Sequence, residues 1–354
     1  MNRKYNLIYK NPLKKTPFFV AEISANHNGS LKQAKELIRT AKQYGADAVK
    51  LQTYTPNTLT IKSAKSDFKI RGGPWNGKTL WDLYEKAQTP FEWHKELFNY
   101  AKKLKIICFS TPFDETAVDL LESLNCPFYK VASFEINHVP LIKKIARTRK
   151  PIIISTGMAN LQEIDLAYET AKKNGSKEIT LLYCVSNYPS KISDFNFNNI
   201  KILKERYNCK VGFSDHSTNN KVVAAAIAAG AEIIEKHIAL DGQRNGLDLA
   251  FSVKGKKIFE YVETIKSTYL MMGKEYFYRN KAELKNLKFR RSIYTTQNIK
   301  KGEKFTKKNI RVVRPGYGAE PKYFDRIIGK VCQKNIKSEM PLKKKILMQS
   351  RIKI

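Results

Sequence analysis

The sequence lacks long apolar runs, and its start lacks the features of a secretion signal. No stretch approaches the ~20 consecutive apolar residues that a membrane-spanning helix requires. The first residues, MNRKYNLIYKNPLKK, are basic but contain no apolar core typical of a signal peptide. These absences predict a cytoplasmic protein without a membrane partner.

Cysteine is scarce as well. There are five cysteines, an odd number, widely spaced and without a CxxC pair. This pattern argues against a disulfide framework and against a cysteine-based zinc site. We expect free, buried thiols at Cys108, Cys126, Cys184, Cys209 and Cys332.

Acidic residues are too few to balance the basic ones. Lys and Arg number 65, Asp and Glu 32, and the net charge is +33. Such an excess is typical of proteins that bind nucleic-acid phosphates. Only 14 of the basic residues are arginines, however, and that ratio disfavours recognition by bidentate guanidinium groups. From Lys285 to the end there are 21 basic and 4 acidic residues, so about half of the excess lies in one fifth of the chain.

What is present indicates a folded α/β protein. Apolar residues make up 42% of the 354 residues, which excludes disorder of the whole chain and suggests about two domains. Short apolar, β-branched runs recur, and continuous apolar runs are typical of strands buried on both faces. Eight strands are predicted, at residues 18–24, 48–54, 105–111, 128–133, 151–156, 179–186, 210–215 and 232–238.

Helical patterns separate these runs. Ser30 is predicted to cap a helix that Gly45 stops, Asp114 to cap another, and Thr89, Pro90 and Glu92 to form a capping box. Further helices are expected at residues 138–147, 161–173, 196–206, 219–229 and 256–272. The alternation over about 260 residues predicts a (β/α)8 TIM barrel. A doubly wound sheet is the alternative, but no GxGxxG follows the first strand.

A turn-rich region follows the barrel. It contains short strand patterns, the turn Lys301-Gly302 and a cluster of Pro and Gly at 315–321, which predict a small β-rich domain. We therefore divide the chain into a barrel at 1–275, a linker at 276–288 and a small domain at 289–354.

Polar residues follow almost every predicted strand, where the active site of a barrel lies. Lys50 and Lys130 lie on otherwise apolar strands and are costly to bury without anionic partners. Those partners are either internal carboxylates such as Glu22 and Glu135 or an anionic ligand, which nearby hydroxyls would also bind.

Histidines are few, and two of the five end neighbouring strands. His216 and His237 could together ligate a divalent ion such as Mn, Fe or Zn, with Asp215 or Glu235 nearby. Alternatively the two imidazoles are only hydrogen-bonded in a polar site. His94 and His138 are expected at the surface, since they lie at helix starts.

Several segments resemble the sialic acid synthases, enzymes that condense phosphoenolpyruvate with an amino sugar. In the barrel, the resemblance is carried by AEISANHNGS, GADAVKLQT, FSTPFD, YKVASFE, PIIISTGMA, GFSDHS and IEKHI. The C-terminal antifreeze-protein-like (SAF) domain of that family is resembled by RRSIY, KKGEKFT and RPGYG. TYTPNTLTI, TPFEWHKELF and LDLAFS look most similar to the pseudaminic acid synthase branch. One departure is Gly246-Leu247-Asp248, where the family usually has Gly-Pro-Asp; the carboxylate remains, but the loss of proline removes rigidity.

The resemblance implies an activity and a set of site residues. Phosphoenolpyruvate and an amino sugar would be the substrates, and Mn or Mg on His216 and His237 the metal. Glu22 and Asp248 would lie near the sugar and water, with Glu235 close to the metal and Glu135 the remaining candidate acid or base. Gln52 and Tyr188 would line the sugar site. Phosphoenolpyruvate would be held by two lysines and five hydroxyl residues: Lys50, Lys130, Thr111, Ser133, Ser155, Ser186 and Ser214. The family also implies a homodimer in which the C-terminal domain swaps over the partner barrel, so that Arg314 reaches the sugar.

Other functions are less well supported by the sequence. A nucleic-acid-binding C-terminal module would show spaced aromatic residues, which this region lacks. Ice binding by the antifreeze-like domain conflicts with its high lysine content. Within the enzyme family, N-acetylmannosamine and the mannose-configured legionaminic precursor are the alternative sugars to the altrose-configured pseudaminic precursor.

Overall fold

The structure is a computed structural model that describes residues 16–274, 276–350 and 352. The basic N-terminal stretch therefore lies outside the described residues. The chain divides into two compact units, Met1–Gly273 and Lys274–Ile354. Within the described ranges, no helix is both long enough and apolar enough to cross a membrane.

The described part of the first unit contains a closed barrel of eight parallel strands, as predicted. Each strand pairs with the next, and β1 also pairs with β8, which closes the barrel. The short strand β9 (Val253–Lys254), which was not predicted, extends the sheet beside β8. The barrel strands are β1 (Phe18–Glu22), β2 (Ala48–Thr53), β3 (Ile107–Pro112), β4 (Tyr129–Val131), β5 (Ile152–Ser155), β6 (Ile179–Cys184), β7 (Lys210–Asp215) and β8 (Ile233–Ala239).

Helices surround the strands and bury their apolar faces against them. Ser30 caps α1 by accepting a hydrogen bond from Gln33 N, and Asp114 caps α5 by accepting one from Ala117 N, both as predicted. The helices of this unit are α1 (Leu31–Gln43), α2 (Pro56–Leu59), α3 (Leu80–Ala87), α4 (Phe91–Lys103), α5 (Glu115–Ser123), α6 (Val139–Arg147), α7 (Leu161–Lys173), α8 (Asn198–Tyr207), α9 (Asn220–Ala228) and α10 (Lys257–Met272).

The start of α4 differs from the prediction. Pro90 rather than Thr89 is the cap residue, and no side-chain hydrogen bond caps the helix, so the predicted capping box is wrong. The Thr89 hydroxyl instead lies 3.4 Å from His27 Nε2. His94, expected at the surface, is fully buried, with Nε2 2.7 Å from the Thr53 hydroxyl and Nδ1 3.1 Å from the Pro90 carbonyl. His138 is exposed, as predicted.

Thiols and core follow the predicted pattern closely. Cys108, Cys126, Cys184 and Cys332 are buried free thiols, whereas Cys209 is half-buried. A continuous apolar core joins the barrel strands to the inner faces of the helices. The rigid, buried strands thereby fix the positions of the polar side chains at their ends.

The second unit is a small domain with its own core. Strands β10 (Ser292–Thr295) and β11 (Ile310–Val313) pair antiparallel, and short bridges join Ile299 to Ile336 and Lys304 to Val331. Its short helices are α11 (Lys281–Leu284), α12 (Phe324–Ile327) and α13 (Lys344–Gln349). A separate apolar cluster around Ile293, Phe305 and Leu342 packs inside it, so each unit has a hydrophobic interior of its own.

Candidate active site

Two lysines and two glutamates pair at the carboxyl end of the barrel strands. Lys50 Nζ lies 2.6 Å from Glu22 Oε2 and 3.7 Å from Glu235 Oε1. Lys130 Nζ lies 3.2 Å from Glu235 Oε1, and all four side chains are buried. The sheet register causes this arrangement, because Glu22 stands beside Lys50 on β2 and beside His237 on β8. Internal carboxylates therefore do pair with the two lysines, and they are Glu22 and Glu235 rather than Glu22 and Glu135.

Hydroxyl and amide groups complete this cluster. Lys50 donates a hydrogen bond to Thr111 Oγ1 at 3.0 Å, and Ser214 Oγ donates to Glu235 Oε1 at 3.1 Å. Gln52 Nε2 donates to Glu22 Oε1 at 3.3 Å. Seven of the predicted site residues thus lie in one connected network.

The four charged groups have shifted proton affinities. Burial raises the pKa of Glu22, and attraction to Lys50 opposes this only in part. Burial also acts to raise the pKa of Glu235, but Lys130 and Lys50 outweigh it and hold the pKa at about 2. Burial lowers the pKa of Lys130, with Glu235 opposing, whereas Glu22 and Glu235 outweigh burial at Lys50 and raise its pKa. Glu235 is therefore ionised at neutral pH, while Glu22 takes up a proton more readily than an ordinary carboxyl group.

A second group of small polar side chains surrounds Gly157. The Ser133 hydroxyl accepts a hydrogen bond from Gly157 N at 3.2 Å and lies 3.1 Å from Cys184 Sγ. A Cβ at position 157 would lie 2.2 Å from Ser186 Oγ and 2.8 Å from Ser133 Oγ, so only glycine lets these hydroxyls converge. Ser155 is also buried, at the end of β5.

His216 and His237 lie together, as the sequence predicted, with ring centroids 5.6 Å apart. His216 Nδ1 is 3.1 Å from the Val185 carbonyl, which leaves Nε2 as the free nitrogen. His237 Nδ1 is buried and has no hydrogen-bond partner. Burial lowers the pKa of His216 to about 4 and that of His237 well below its ordinary value, so both imidazoles are neutral, as metal ligands must be.

Carboxylates contribute less to this pair than expected. Asp215 faces away from it, because its carboxylate accepts hydrogen bonds from Tyr261 and Ser217 N and pairs with Lys236. Asp248 is the nearby carboxylate, 3.7 Å from His237 Nδ1, and it accepts a short hydrogen bond from Ser24. In the described ranges, no three His, Cys, Asp or Glu side chains are grouped to hold a metal ion. A metal here would have two imidazole ligands and otherwise bind substrate and water.

A cavity of about 380 Å³ adjoins these residues. Gln52, Glu135, Tyr188, His237 and Asp248 line it, so five of the predicted residues face one space. Burial raises the pKa of Glu135 to about 7, and its Oε2 atom is buried without a hydrogen-bond partner. This carboxyl group can therefore gain or lose a proton near neutral pH.

Arg314 belongs to the second unit, where its side chain is exposed. It stands at the start of the RPGYG segment, directly after β11. Its predicted role at the sugar stays a prediction.

The structure adds residues that the sequence did not single out. Ser24 holds Asp248, Gly157 admits the serine hydroxyls, and Phe251 packs at 4.8 Å from the His237 ring. Trp75 contacts Tyr188 with a centroid distance of 5.8 Å. Ser24 could have been found by its position two residues after Glu22, and Phe251 by its position three residues after Asp248 in LDLAFS. Trp75 lies far in sequence from any segment that the sequence singled out.

Comparison with known proteins agrees with this geometry. A family model described as the NeuB family matches residues 37–276, and one described as the SAF domain matches residues 290–347. The chain is 44% identical to the pseudaminic acid synthase of Helicobacter pylori, over 92% of this chain and 96% of that protein. It is 37% identical to the N,N'-diacetyllegionaminic acid synthase of Campylobacter jejuni, over 92% of this chain and 98% of that protein.

A solved structure is similar as well. The N-acetylneuraminic acid synthetase of Leptospira borgpetersenii, solved with citrate, has a TM-score of 0.69 and 28% identity, over 77% of this chain and 90% of that chain. The resemblance to the sialic acid synthases and the prediction of a barrel followed by a SAF domain are confirmed. Because the family model covers more than half of the sequence, the chain belongs to the NeuB family.

Proposed function

We propose that this chain condenses phosphoenolpyruvate with 2,4-diacetamido-2,4,6-trideoxy-altrose and water to give pseudaminic acid and inorganic phosphate. One observation carries the proposal: two buried lysines, several hydroxyls and two neutral histidines meet at one end of the barrel, beside a cavity large enough for a sugar. The similarity to the pseudaminic acid synthase of Helicobacter pylori supports the choice of sugar.

Phosphoenolpyruvate would bind at the lysine cluster. When Glu22 is protonated, Lys50 and Lys130 face a single carboxylate, Glu235, and the excess positive charge favours a phosphate or carboxylate group. The hydroxyls of Thr111, Ser133, Ser155, Ser186 and Ser214 and the amide of Gly157 would donate to the anion oxygens.

His216 and His237 would hold a divalent metal ion, Mn or Mg. The fit rests on the two neutral rings, the oriented His216 and the unpartnered Nδ1 of His237. Such an ion supplies Lewis-acid polarisation of a bound oxygen. Asp248, held by Ser24 and 3.7 Å from His237 Nδ1, would fix the position of the sugar beside it.

The reaction joins three molecules and releases phosphate. C3 of phosphoenolpyruvate forms a bond to the aldehyde carbon of the sugar, and the aldehyde oxygen takes a proton. Water adds at C2 and gives up a proton, and the resulting tetrahedral intermediate breaks its C–O bond to phosphate, which leaves with the electron pair. Loss of the remaining hydroxyl proton gives the keto acid.

The carboxyl groups would move the protons. Glu135 faces the sugar cavity with a pKa of about 7, so it can exchange a proton with the aldehyde oxygen at neutral pH. Glu22, which pairs with Lys50, would exchange a proton with the water that adds at C2. Glu235, ionised throughout, would hold the two lysines in place rather than exchange protons.

The active form would be a homodimer with a swapped C-terminal domain. In that arrangement Arg314 of each chain contacts the sugar in the partner's barrel. An exposed arginine directly after a strand of the small domain is available for such a contact. A cytoplasmic location stays a prediction.

Phosphate release tests the function. The purified protein is incubated with phosphoenolpyruvate, Mn and, in turn, the altrose-configured diacetamido sugar, its mannose-configured counterpart and N-acetylmannosamine. We expect rapid release with the first sugar and none without sugar, and we expect Lys130→Gln to abolish it while Lys266→Gln, on the exposed face of α10, does not. Failure of all three sugars would refute the assignment, and preference for another sugar would correct the substrate.

A further inference from the structure

A hairpin between β2 and α3 reaches across to the loops after β6 and β8. Ile70 and Lys78 form its backbone pairing, since Ile70 N donates to the Lys78 carbonyl at 2.9 Å. An antiparallel bridge joins Lys69 to Thr79 at its base. Trp75 lies near the tip, and its Nε1 donates to the Leu247 carbonyl at 3.0 Å. The hairpin is therefore tied to the loop that carries Asp248.

This segment gives the sugar cavity an apolar side. The polar lining residues Ser24, Gln52, Glu135, His237 and Asp248 all come from the strand ends and the loops that follow them. The segment between β2 and α4 contributes mainly hydrocarbon. We name its apolar contributors the apolar roof: Leu59, Ile70, Trp75, Leu80 and Leu83.

Aromatic contacts keep the cavity walls in place. Trp75 packs against Tyr188, and Tyr54 packs edge-on against both Tyr84 and Phe113, with centroid distances of 5.9 and 5.1 Å. All five aromatic side chains line the cavity. A wall of this kind is pre-formed, so a ligand need not order it on binding.

A wall of hydrocarbon discriminates among sugars by their substituents. A methyl group placed against it gains from leaving water, whereas a hydroxyl group loses its hydrogen bonds there. The diacetamido sugar has a methyl group at C6 and an acetamido group at C4, where N-acetylmannosamine has hydroxyls. An apolar pocket rejects an added hydroxyl by about 100-fold, so the roof can account for a clear but limited preference.

We propose that the apolar roof selects diacetamido sugars over N-acetylmannosamine by receiving the C6 methyl and the C4 acetamido methyl of the substrate. This inference deepens the proposed function and rests on it. The roof residues contact the part of the sugar that does not react, and they act on binding rather than on bond formation. Gln52, Glu135, His237 and Asp248 serve the reacting end.

A pair of matched substitutions tests the roof. Ile70→Thr replaces the ethyl branch of a side chain in the cavity wall with a hydroxyl, and Ile61→Thr makes the same change in the same segment at a side chain that is 69% exposed and does not line the cavity. Steady-state kinetics with the diacetamido sugar should show a KM about 10-fold higher for Ile70→Thr with kcat nearly unchanged. Ile61→Thr should match the wild type.

A competition assay separates the inference from the function. With both sugars present, mass spectrometry of the products should show the share made from N-acetylmannosamine rising for Ile70→Thr and for a second roof variant, Leu59→Thr. If the wild type turns over the diacetamido sugar but neither variant changes KM or the product ratio, the roof does not set specificity and the proposed function stands. If the wild type turns over no sugar, both are overturned. Thermal melting confirms that each variant is folded.

Discussion

At the scale of the residue, the site is built from charges that burial makes unequal. Glu235 is held ionised by two lysines, whereas Glu135, in the sugar cavity without such a partner, has its pKa raised to about 7. The two carboxyl groups therefore have different proton affinities at the same pH. This difference supports separate roles, electrostatic for Glu235 and proton-exchanging for Glu135.

Glu135→Gln should lower the activity of the protein and raise its stability. The folded state holds the Glu135 proton more tightly than the unfolded state, whose pKa is near 4.5, so wild-type stability falls as pH rises from about 4.5 to about 7 and stays lower above that. Glutamine removes the buried charge. We therefore expect the variant to be more stable at pH 8 by about 1–3 kcal/mol, with the difference vanishing near pH 4.

Urea titrations at pH 4 and pH 8 measure this effect, and Glu85→Gln on the exposed face of α3 is the control. The control should show no gain at either pH. A Glu135→Gln variant that keeps full activity, or whose stability relative to wild type does not depend on pH, would contradict the role given to this residue.

At the scale of the element, a buried polar trio fastens α10 to the barrel. Asp215 on β7 pairs with Lys236 on β8 at 3.3 Å and accepts a hydrogen bond from Tyr261 on α10 at 2.7 Å. Lys236 also donates to the carbonyls of Asp215 and Ser217. All three side chains are buried. The trio joins β7, β8 and α10.

Asp215→Asn should destabilise this junction strongly. The amide leaves Lys236 buried without its anionic partner, and breaking one partner of a buried pair costs about 3–5 kcal/mol. Glu263→Gln removes an ion pair with Lys266 on the exposed face of α10, and it should lower the free energy of unfolding by less than about 1 kcal/mol. Free energies of unfolding from urea titration compare the two. Equal losses would mean that the trio contributes no more than a surface ion pair.

Elements were predicted better than contacts. The eight barrel strands and most helices between them could be predicted because apolar periodicity and cap residues are local signals, whereas α2 and α3 were not predicted. The exposed position of His94 was wrong, because the end of β2 supplies a hydroxyl partner that a helical pattern does not reveal. The capping box at Thr89 was wrong, because its hydroxyl lies near His27 instead of the helix start. Asp215 was placed near the histidines for a similar reason: its sequence position does not tell which side of the barrel wall it faces.

At the scale of the whole molecule, the chain joins a catalytic barrel to a small basic domain. The lysines and carboxylates of the site could be predicted from the strand ends, but most of the apolar roof could not, because only Leu59 lies in a segment, TYTPNTLTI, that resembles the family. The basic excess of the second unit suits a substrate that carries phosphate and carboxylate, since a positive field raises the rate of encounter with anions.

Subunit mixing tests the proposed swapped dimer. His237→Ala and Arg314→Ala are each expected to be inactive, the first at the barrel and the second at the C-terminal domain. If each site combines the barrel of one subunit with the tail of the other, random re-pairing restores about a quarter of wild-type activity, because half of the dimers contain one intact site.

The mixture is unfolded or dissociated, re-associated and assayed for phosphate release, with each variant alone as the control. If instead each tail serves its own barrel, every site in the mixture carries one defect. Absence of recovery in mixtures shown to contain mixed dimers would therefore contradict the swap.

The most direct test of the central claim follows the oxygen of phosphoenolpyruvate. The substrate is labelled with heavy oxygen at the bridge between C2 and phosphorus and incubated with the diacetamido sugar and Mn, and the products are examined by mass spectrometry. We expect a nonulosonic acid heavier than the sugar by one pyruvate unit, with the label in the released phosphate. Label retained in the organic product, or no product at all, would contradict that claim.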